Sequence, residues 1–538
     1  MNKFILIYIA FLLSACAQVG RLSGGPKDEA APSINESKSN PLPGTTNFQG
    51  NQLEIAFDEY ISISGIKQYV TINPPFEKGK EPDYKMKGKK LVVRFNDSLK
   101  PNTTYNFSFN RALKDITEKN DSLFQFAFST GPYLDSMSAE GKVLDAYTNE
   151  PKENVTLLLF EEMEDSTPYK STPIYFTQTD KNGKFKLKYI KEGEYMIFAL
   201  KDQNRNNLYD LTTESFGFIE DPMRFNVDSV HQGGLLFRMS QITPDKMVLE
   251  SYDHEFPGPL QLKFNKDVEN LNLKTINNEP IQFSLDLKSE DDSLICWIPP
   301  VDQDTLALQI IVNDTILDTL TLSMRYLGKG SNAELRVPEF KLVPNAKPSL
   351  DYYDTLEITS TLPIGFVDSA RIYVLDKDSN LVKGIHFKSN YRKITVYGNW
   401  EPKMQYRLVI PDSAVVSKYG YKNDSTQIIF NKQQSDYYGN LFLNLRVAEP
   451  SFYVLELLNT QNKVLRTVEL DQSSRVKFEL LAPGNYKFRL IKDANHNGKW
   501  DPGNYLKKIQ PERVYYLQSP VNMRSNWDQE VDWEIIKE

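Results

Sequence analysis

Runs in which every second residue is aromatic or aliphatic recur along the chain, and they restrict its folding more than any other feature. Tyr105, Phe107 and Phe109 alternate with polar residues, and Phe124, Phe126 and Phe128 alternate with smaller ones. Successive side chains of a strand point to opposite faces, so each run lays its rings on one side of a sheet. Clusters of turn formers, such as Asp180, Asn182 and Gly183, separate the runs. No stretch carries the apolar period of a long amphipathic helix. The expected fold class is all-β, built as tandem β-sandwich modules.

The N-terminus has a different grammar. Lys3 precedes an unbroken apolar run over residues 4–13, and the small residues Ser14 and Ala15 come just before Cys16. Charged, apolar and small-residue zones in that order mark a secretory signal. Its apolar run rises only ~15 Å as a helix, about half a bilayer, so it is too short for a permanent span. Leu13, Ser14, Ala15 and Cys16 resemble the bacterial lipobox, which implies cleavage before Cys16 and lipidation of that cysteine. Residues 1–15 are then a signal and residues 16–32 a polar tether containing Gly24, Gly25 and Pro26. The resemblance implies a lipoprotein of the cell envelope, anchored in the outer membrane. The residues after Cys16 lack an acidic cluster, which leans towards the periplasmic face.

At 538 residues the chain has room for several domains, and 40% apolar residues can fill their cores. A formal charge of −8 argues against a nucleic-acid partner. The only other cysteine, Cys296, sits in a short apolar run and is expected to be a buried small hydrophobe rather than a reactive thiol. With Cys16 lipidated, no intrachain disulfide is possible.

Two kinds of module recur. Residues 33–131 open with Leu53, Ile55 and Phe57, followed by Asp58 and Glu59. They close with Pro101 four residues before Tyr105, and with Asn120, Asp121 and Ser122 before a last strand. Residues 338–436 repeat this with Pro402 before Tyr406 and with Asn423, Asp424 and Ser425 before Ile428 and Phe430. Residues 242–337 hold a more divergent copy that opens with Leu260, Leu262 and Phe264. These segments resemble the bacterial Ig-like domain of S-layer and envelope proteins, which implies a spacer and binding scaffold.

The second kind spans residues 133–241 and 437–538. The first copy has Asp180, Gly183 and Phe185, then Gly193 and Tyr195; the other has Gly484 and Tyr486. It resembles the prealbumin-like sandwich, also called the carboxypeptidase regulatory-like or collagen-adhesin B-type repeat. That likeness implies a non-catalytic module that stabilises or displays its neighbours. Asp471, Gln472, Ser473 and Ser474 replace the glycine turn in the later copy, so a different turn is expected there. The whole reads as a string of five sandwiches.

Each module of the second kind carries one polar loop. Asp202, Asn204, Asn206 and Asp210 form the first, and Asp493, Asn495, Asn497 and Asp501 the second. Side-chain oxygens at positions one, three, five and nine, with a carbonyl at seven, match the opening of a calcium loop. Position six must turn sharply, and Asn207 and Gly498 stand there. Thr213 and Asn504 occupy position twelve in place of a bidentate glutamate, so closure by Asp210 or Asp501 is expected, with Glu214 near the first loop. His496 is expected to point out of its loop. The competing reading is an Asx-rich turn that satisfies its own backbone. Structural calcium is the expected cofactor.

Asp followed by Ser or Thr and an aliphatic residue recurs, as at Asp97, Asp314 and Asp368. This resembles the O-glycosylation triad of some envelope proteins and equally marks a turn entering a strand. His231, His254, His386 and His496 are scattered, and no nucleophile elbow, phosphate loop or dinucleotide fingerprint is present. A non-catalytic envelope lipoprotein acting as a structural or adhesive scaffold is expected. The alternative is a substrate- or glycan-binding lipoprotein of an uptake or secretion assembly. Expected partners are the membrane, through the lipid, and a protein or glycan. An exposed row of aromatic rings would favour the alternative.

Overall fold

The computed structural model describes residues 32–536 apart from 118–120, 211–212, 243–245, 255, 257, 269, 278, 289–292, 299–300, 302, 325–339 and 347–348. Cys16, the expected signal and all of the expected tether but Pro32 lie outside the described residues. The fold is all-β. The α-helical elements among the described residues are single turns, Ile66–Tyr69 and Thr167–Lys170. No helix among those residues is long and apolar enough to cross a membrane. The chain divides into two compact units: Met1–Ser240 with Asn504–Gln510, and Gln241–Gly503 with Pro511–Glu538.

Unit 1 begins with a sandwich whose core holds Leu53, Ile55 and Phe57 against Phe107, Phe109, Phe126 and Phe128. The two aromatic runs pair antiparallel, setting Tyr105 opposite Phe128, Phe107 opposite Phe126 and Phe109 opposite Phe124. Two of these pairs stack, at 5.6 Å for Tyr105 and Phe128 and 4.8 Å for Phe109 and Phe124. Cross-strand aromatic pairs of this kind fix register as well as burying area.

The second sandwich follows, with its own core around Val143, Leu157, Leu159, Phe185, Tyr195, Ile197 and Phe237. Its last strand, His231–Gln241, runs parallel to its first, Met137–Asp145, while Lys184–Ile190 pairs antiparallel on the other side. Within unit 1 the two sandwiches meet through Asn73. Its buried amide accepts the Phe176 N–H and donates to the Phe176 carbonyl, both at 2.9 Å, as a neighbouring strand would.

Unit 2 holds three further cores. In the earliest, Leu260–Phe264 pairs with Ser293–Trp297, which pairs with Ser284–Lys288. Gln52–Ala56, Lys90–Arg94 and Asp83–Lys87 are connected in the same way in the first sandwich, and Leu356–Ser360, Lys393–Tyr397 and His386–Asn390 in the fourth. The fifth repeats the connectivity of the second: Asp528–Ile535 runs parallel to Gly439–Val447, and Ser474–Leu481 lies antiparallel on its far side. The third and fourth share material. Trp297 and Ile295, on a strand of the third, join the core of the fourth. Arg392 lies over the Trp297 ring at 5.2 Å, and the Tyr419 hydroxyl donates to the Ile298 carbonyl at 2.7 Å.

The tyrosines that mark the repeats act on the backbone. The Tyr105 hydroxyl accepts the Lys100 N–H at 2.9 Å, and the Tyr406 hydroxyl accepts the Glu401 N–H at 2.8 Å. Between donor and ring lie Pro101 or Pro402, then Asn102 or Lys403 with φ of 49° and 64°. Proline followed by a left-handed residue is the pattern of a type II turn, and the hydroxyl closes it. In the other kind of module the hydroxyl donates instead, from Tyr195 to the Lys191 carbonyl at 3.0 Å and from Tyr486 to the Ala482 carbonyl at 2.8 Å. The matching strand of the third sandwich, Thr305–Val312, begins Thr305, Leu306 and has no such ring.

Turn chemistry also separates the two copies of the second kind. Gly183 has a φ of 71° in the first, and Asp180 accepts the Asn182 and Lys184 amides. Residues 471–474 contain no left-handed residue, and the Ser473 hydroxyl accepts the Val447 amide instead. Cys296 is fully buried, and that burial pushes its thiol up to about 12.

Tyr406→Phe leaves the Glu401 amide without its acceptor and should destabilise the fourth sandwich by about 1 kcal/mol. Tyr406→Ala, which also opens a cavity beside Trp400 and Phe430, should cost about 3–5 kcal/mol. Hydrogen exchange of the amides in Gln405–Ile410 measures both.

Two polar loops as the candidate site

Each loop leaves a strand whose inner face is buried in a module core, Gly193–Leu200 for the first and Gly484–Lys492 for the second. That rigid start fixes the first aspartate. Asp493 is wholly buried, and its carboxylate accepts the His496 N–H at 2.7 Å, the Gly498 N–H at 2.7 Å and the Asn497 N–H at 3.3 Å. Asp202 accepts the equivalent amides of Arg205, Asn206 and Asn207, the last at 2.8 Å. One carboxylate therefore winds the loop around itself, since each oxygen has two lone pairs to offer.

The left-handed residues follow from that winding. Asn207 and Gly498 at position six have φ of 58° and 76°. Arg205 and His496 at position four are left-handed too, at 60° and 62°. Asn and Gly tolerate this conformation and Arg does not favour it, so the amide bonds to the aspartate hold the chain there. His496 points out of the loop and stacks on Phe452 at 4.6 Å, as its position predicted.

The amides at positions three and five converge on position nine. Asn495 and Asn497 both donate to Asp501, the latter at 2.6 Å. Asn204 and Asn206 donate to Asp210 at 3.1 and 2.6 Å. All eight predicted residues are thus brought together as two sets of four.

Sequence reasoning missed one member of the second loop. Glu512 is buried, its Oε1 accepts the Ala494 N–H at 2.7 Å, and its Oε2 accepts the Asp501 N–H at 3.0 Å. Glu214, wholly buried, does the same in the first loop, taking the Gln203 N–H at 3.0 Å and the Asp210 N–H at 3.3 Å. Each loop therefore ends on a glutamate at the mouth of the next strand. Glu214 lies four residues past Asp210 and was visible; Glu512 lies eleven past Asp501, beyond the range of any loop pattern. Burial pushes the Glu512 carboxyl above the usual range, the two amides pull it back, and the charges of Asp493 and Asp501 add to the rise.

This donor set fits a hard divalent cation in composition: carboxylates, amide oxygens and backbone carbonyls, with two lone pairs on Glu512 beyond those that take the Ala494 and Asp501 amides. In the arrangement described, the carboxylates are engaged by backbone amides. Among the described residues no group of three or more His, Cys, Asp or Glu side chains is gathered around a common point. Of the Asp-Ser/Thr triads, Ser98, Thr315 and Ser369 are exposed.

Residues 28–130 match the bacterial Ig-like domain family. That match covers the first sandwich. No curated protein sequence matches the chain. Among solved structures, the chain is similar to the TIE protein of Bacillus anthracis at 10% identity, over 99% of this chain and 79% of that one, with a TM-score of 0.15. It is similar to the major pilin subunit of Bacillus cereus at 11% identity, over 74% and 99% of the two chains, with a TM-score of 0.15. The surface-layer protein SbsC aligns at 11% identity over 92% of this chain and 67% of that one, with a TM-score of 0.14.

Asp493→Ala strips the acceptor from three amides at once. The His496 and Gly498 amides should exchange with solvent about 100-fold faster, an opening about 3 kcal/mol easier. Asn495→Ala, on the exposed side, should change exchange by only a few-fold. Hydrogen-exchange mass spectrometry of the loop peptide decides between them.

Proposed function

We propose that this chain is a non-catalytic cell-envelope lipoprotein, held at the outer membrane by lipid on Cys16 and serving as a structural or adhesive scaffold. The observation that carries this reading is the division of the buried surface, among the described residues, into five clusters, each in a β-sandwich, four of which share repeated turn devices. The match of the first sandwich to a bacterial Ig-like domain supports it. Calcium closes both polar loops in this proposal, held by Asp202, Asn204, Asn206, Asp210 and Glu214 in one and by Asp493, Asn495, Asn497, Asp501 and Glu512 in the other. The ion would supply positive charge beside the buried Glu214, Asp493 and Glu512; the chain supplies the winding that presents them.

Two measurements test this. Intact mass of the membrane-extracted protein should show a start at Cys16 carrying acyl chains, and Cys16→Ser should leave the membrane fraction. An uncleaved, unmodified N-terminus ends the lipoprotein reading. Melting with calcium at 100 times its Kd should raise the stability of the second and fifth sandwiches by about 2.7 kcal/mol over chelator, and Asp493→Ala should abolish the gain in the fifth. Equal melting with and without chelator ends the calcium reading.

One observation favours the second function. Tyr352, Tyr353 and Tyr437 are 43%, 54% and 38% exposed, and Tyr353 and Tyr437 flank the buried Tyr438 at 5.7 and 5.2 Å. Sugars stack on such faces. A glycan array with wild type and Tyr353→Ala tests it: binding that the substitution removes supports capture of glycan, and a blank array with wild type dismisses it.

A further inference from the structure

Ten residues separate Asp501 from Glu512, whereas three separate Asp210 from Glu214, so the second polar loop carries an insertion of seven. Seven residues of that stretch, Asn504–Gln510, belong to unit 1. They form a tight hairpin. Asn504 and Ile509 exchange backbone hydrogen bonds of 2.7 and 2.9 Å, and the Lys508 N–H donates to the Tyr505 carbonyl at 3.0 Å. The hairpin is one-sided: Leu506 and Ile509 stay in water while Tyr505 is 1% exposed.

Tyr505 is buried by a face of the second sandwich that its core does not use. Thr156–Phe160 and Gly193–Leu200 are apolar on both sides. Leu157, Leu159, Ile197 and Ala199 enter the core, whereas Leu158, Phe160, Phe198 and Leu200 lie on the opposite face and are also fully buried. There the rings of Phe198, Phe216 and Phe218 stand at 5.2, 5.4 and 5.2 Å from Tyr505, at steep angles of 82°, 61° and 70°. Tyr169 closes the side at 6.4 Å. Edge-to-face packing on several sides is specific for a ring in one orientation. The rim is polar. Lys508 Nζ sits 3.9 Å from the Tyr505 centroid and 2.6 Å from Asp165 Oδ1, and the Gln510 amide donates to the Phe218 carbonyl at 3.2 Å.

We propose that Asn504–Gln510 is a latch: Tyr505 fills, in cis, an aromatic socket on the outer sheet face of the second sandwich, and the Lys508–Asp165 pair sets its register. The occupant of this face is the chain's own tyrosine turn. An uncovered apolar face with this many rings would act as an interaction surface. The seven inserted residues are what the second loop has and the first lacks, so the latch is an addition to a shared design and the loop closes without it.

The test uses the full-length protein in detergent. A carbodiimide condenses a lysine amine with an adjoining carboxylate, so the monomer band should yield a peptide in which Lys508 is linked to Asp165. Tyr505→Ala should lower the yield about tenfold or more, as loss of a buried aromatic anchor does, and Tyr505→Phe should keep it. Hydrogen exchange in Gly439–Val447 reports whether each variant is folded. A folded wild type giving no linked peptide overturns the latch. So does linkage found only in a dimer band, which would mean exchange between copies, and so does a Tyr505→Ala variant that links as well as wild type.

Discussion

Single side-chain oxygens that take up backbone amides at turns hold these sandwiches closed, and the remaining structure depends on them. A strand satisfies its own amides through its neighbours, but the chain between strands must find partners elsewhere, and an unpaired buried amide costs about as much as a lost hydrogen bond. Tyr105 and Tyr406 accept one amide each, Asp202 and Asp493 three each, and Glu214 and Glu512 two each. Asn423 shows how much one residue can do. Buried, it accepts the Val415 amide at 2.7 Å and donates to the Pro411 and Asp424 carbonyls at 2.9 and 2.8 Å. Among the described residues no disulfide shares the task, since Cys296 is free and buried.

The recurrence of these devices explains why the repeats can be read at all. Pro101 with Tyr105 and Pro402 with Tyr406 stand out because a turn type, a left-handed residue and a hydroxyl acceptor require one another at fixed spacing. The third sandwich, lacking that tyrosine, looks divergent in sequence and yet has the strand pairing of the first and fourth. Its alternation at Leu260, Leu262 and Phe264 survives because burial on one face is enough to define a strand.

Other features were legible only in part. Polar and apolar residues that alternate mark a strand, so Phe107 and Phe126 announce themselves even though Asn106, Ser108 and Ala127 beside them are buried as well, whereas Thr156–Phe160, apolar on both sides, reads as a plain apolar run whose second neighbour is unnamed. The first four members of each polar loop were evident because they alternate. Glu512 was not, because seven inserted residues carry it out of register while the fold returns it to the position of Glu214. The left-handed His496 was also silent, since its conformation comes from amides reaching Asp493 and not from its own preference.

Trp297 carries a consequence for how such proteins can be assembled by descent. Its backbone lies in a strand of the third sandwich and its indole in the core of the fourth, capped by Arg392. Recombination that cut between these two would deliver a fourth sandwich with a hole where the indole was, and a third with an apolar ring facing water. Duplication and shuffling are therefore expected to move the pair as one heritable block, even though each half has a complete set of strands.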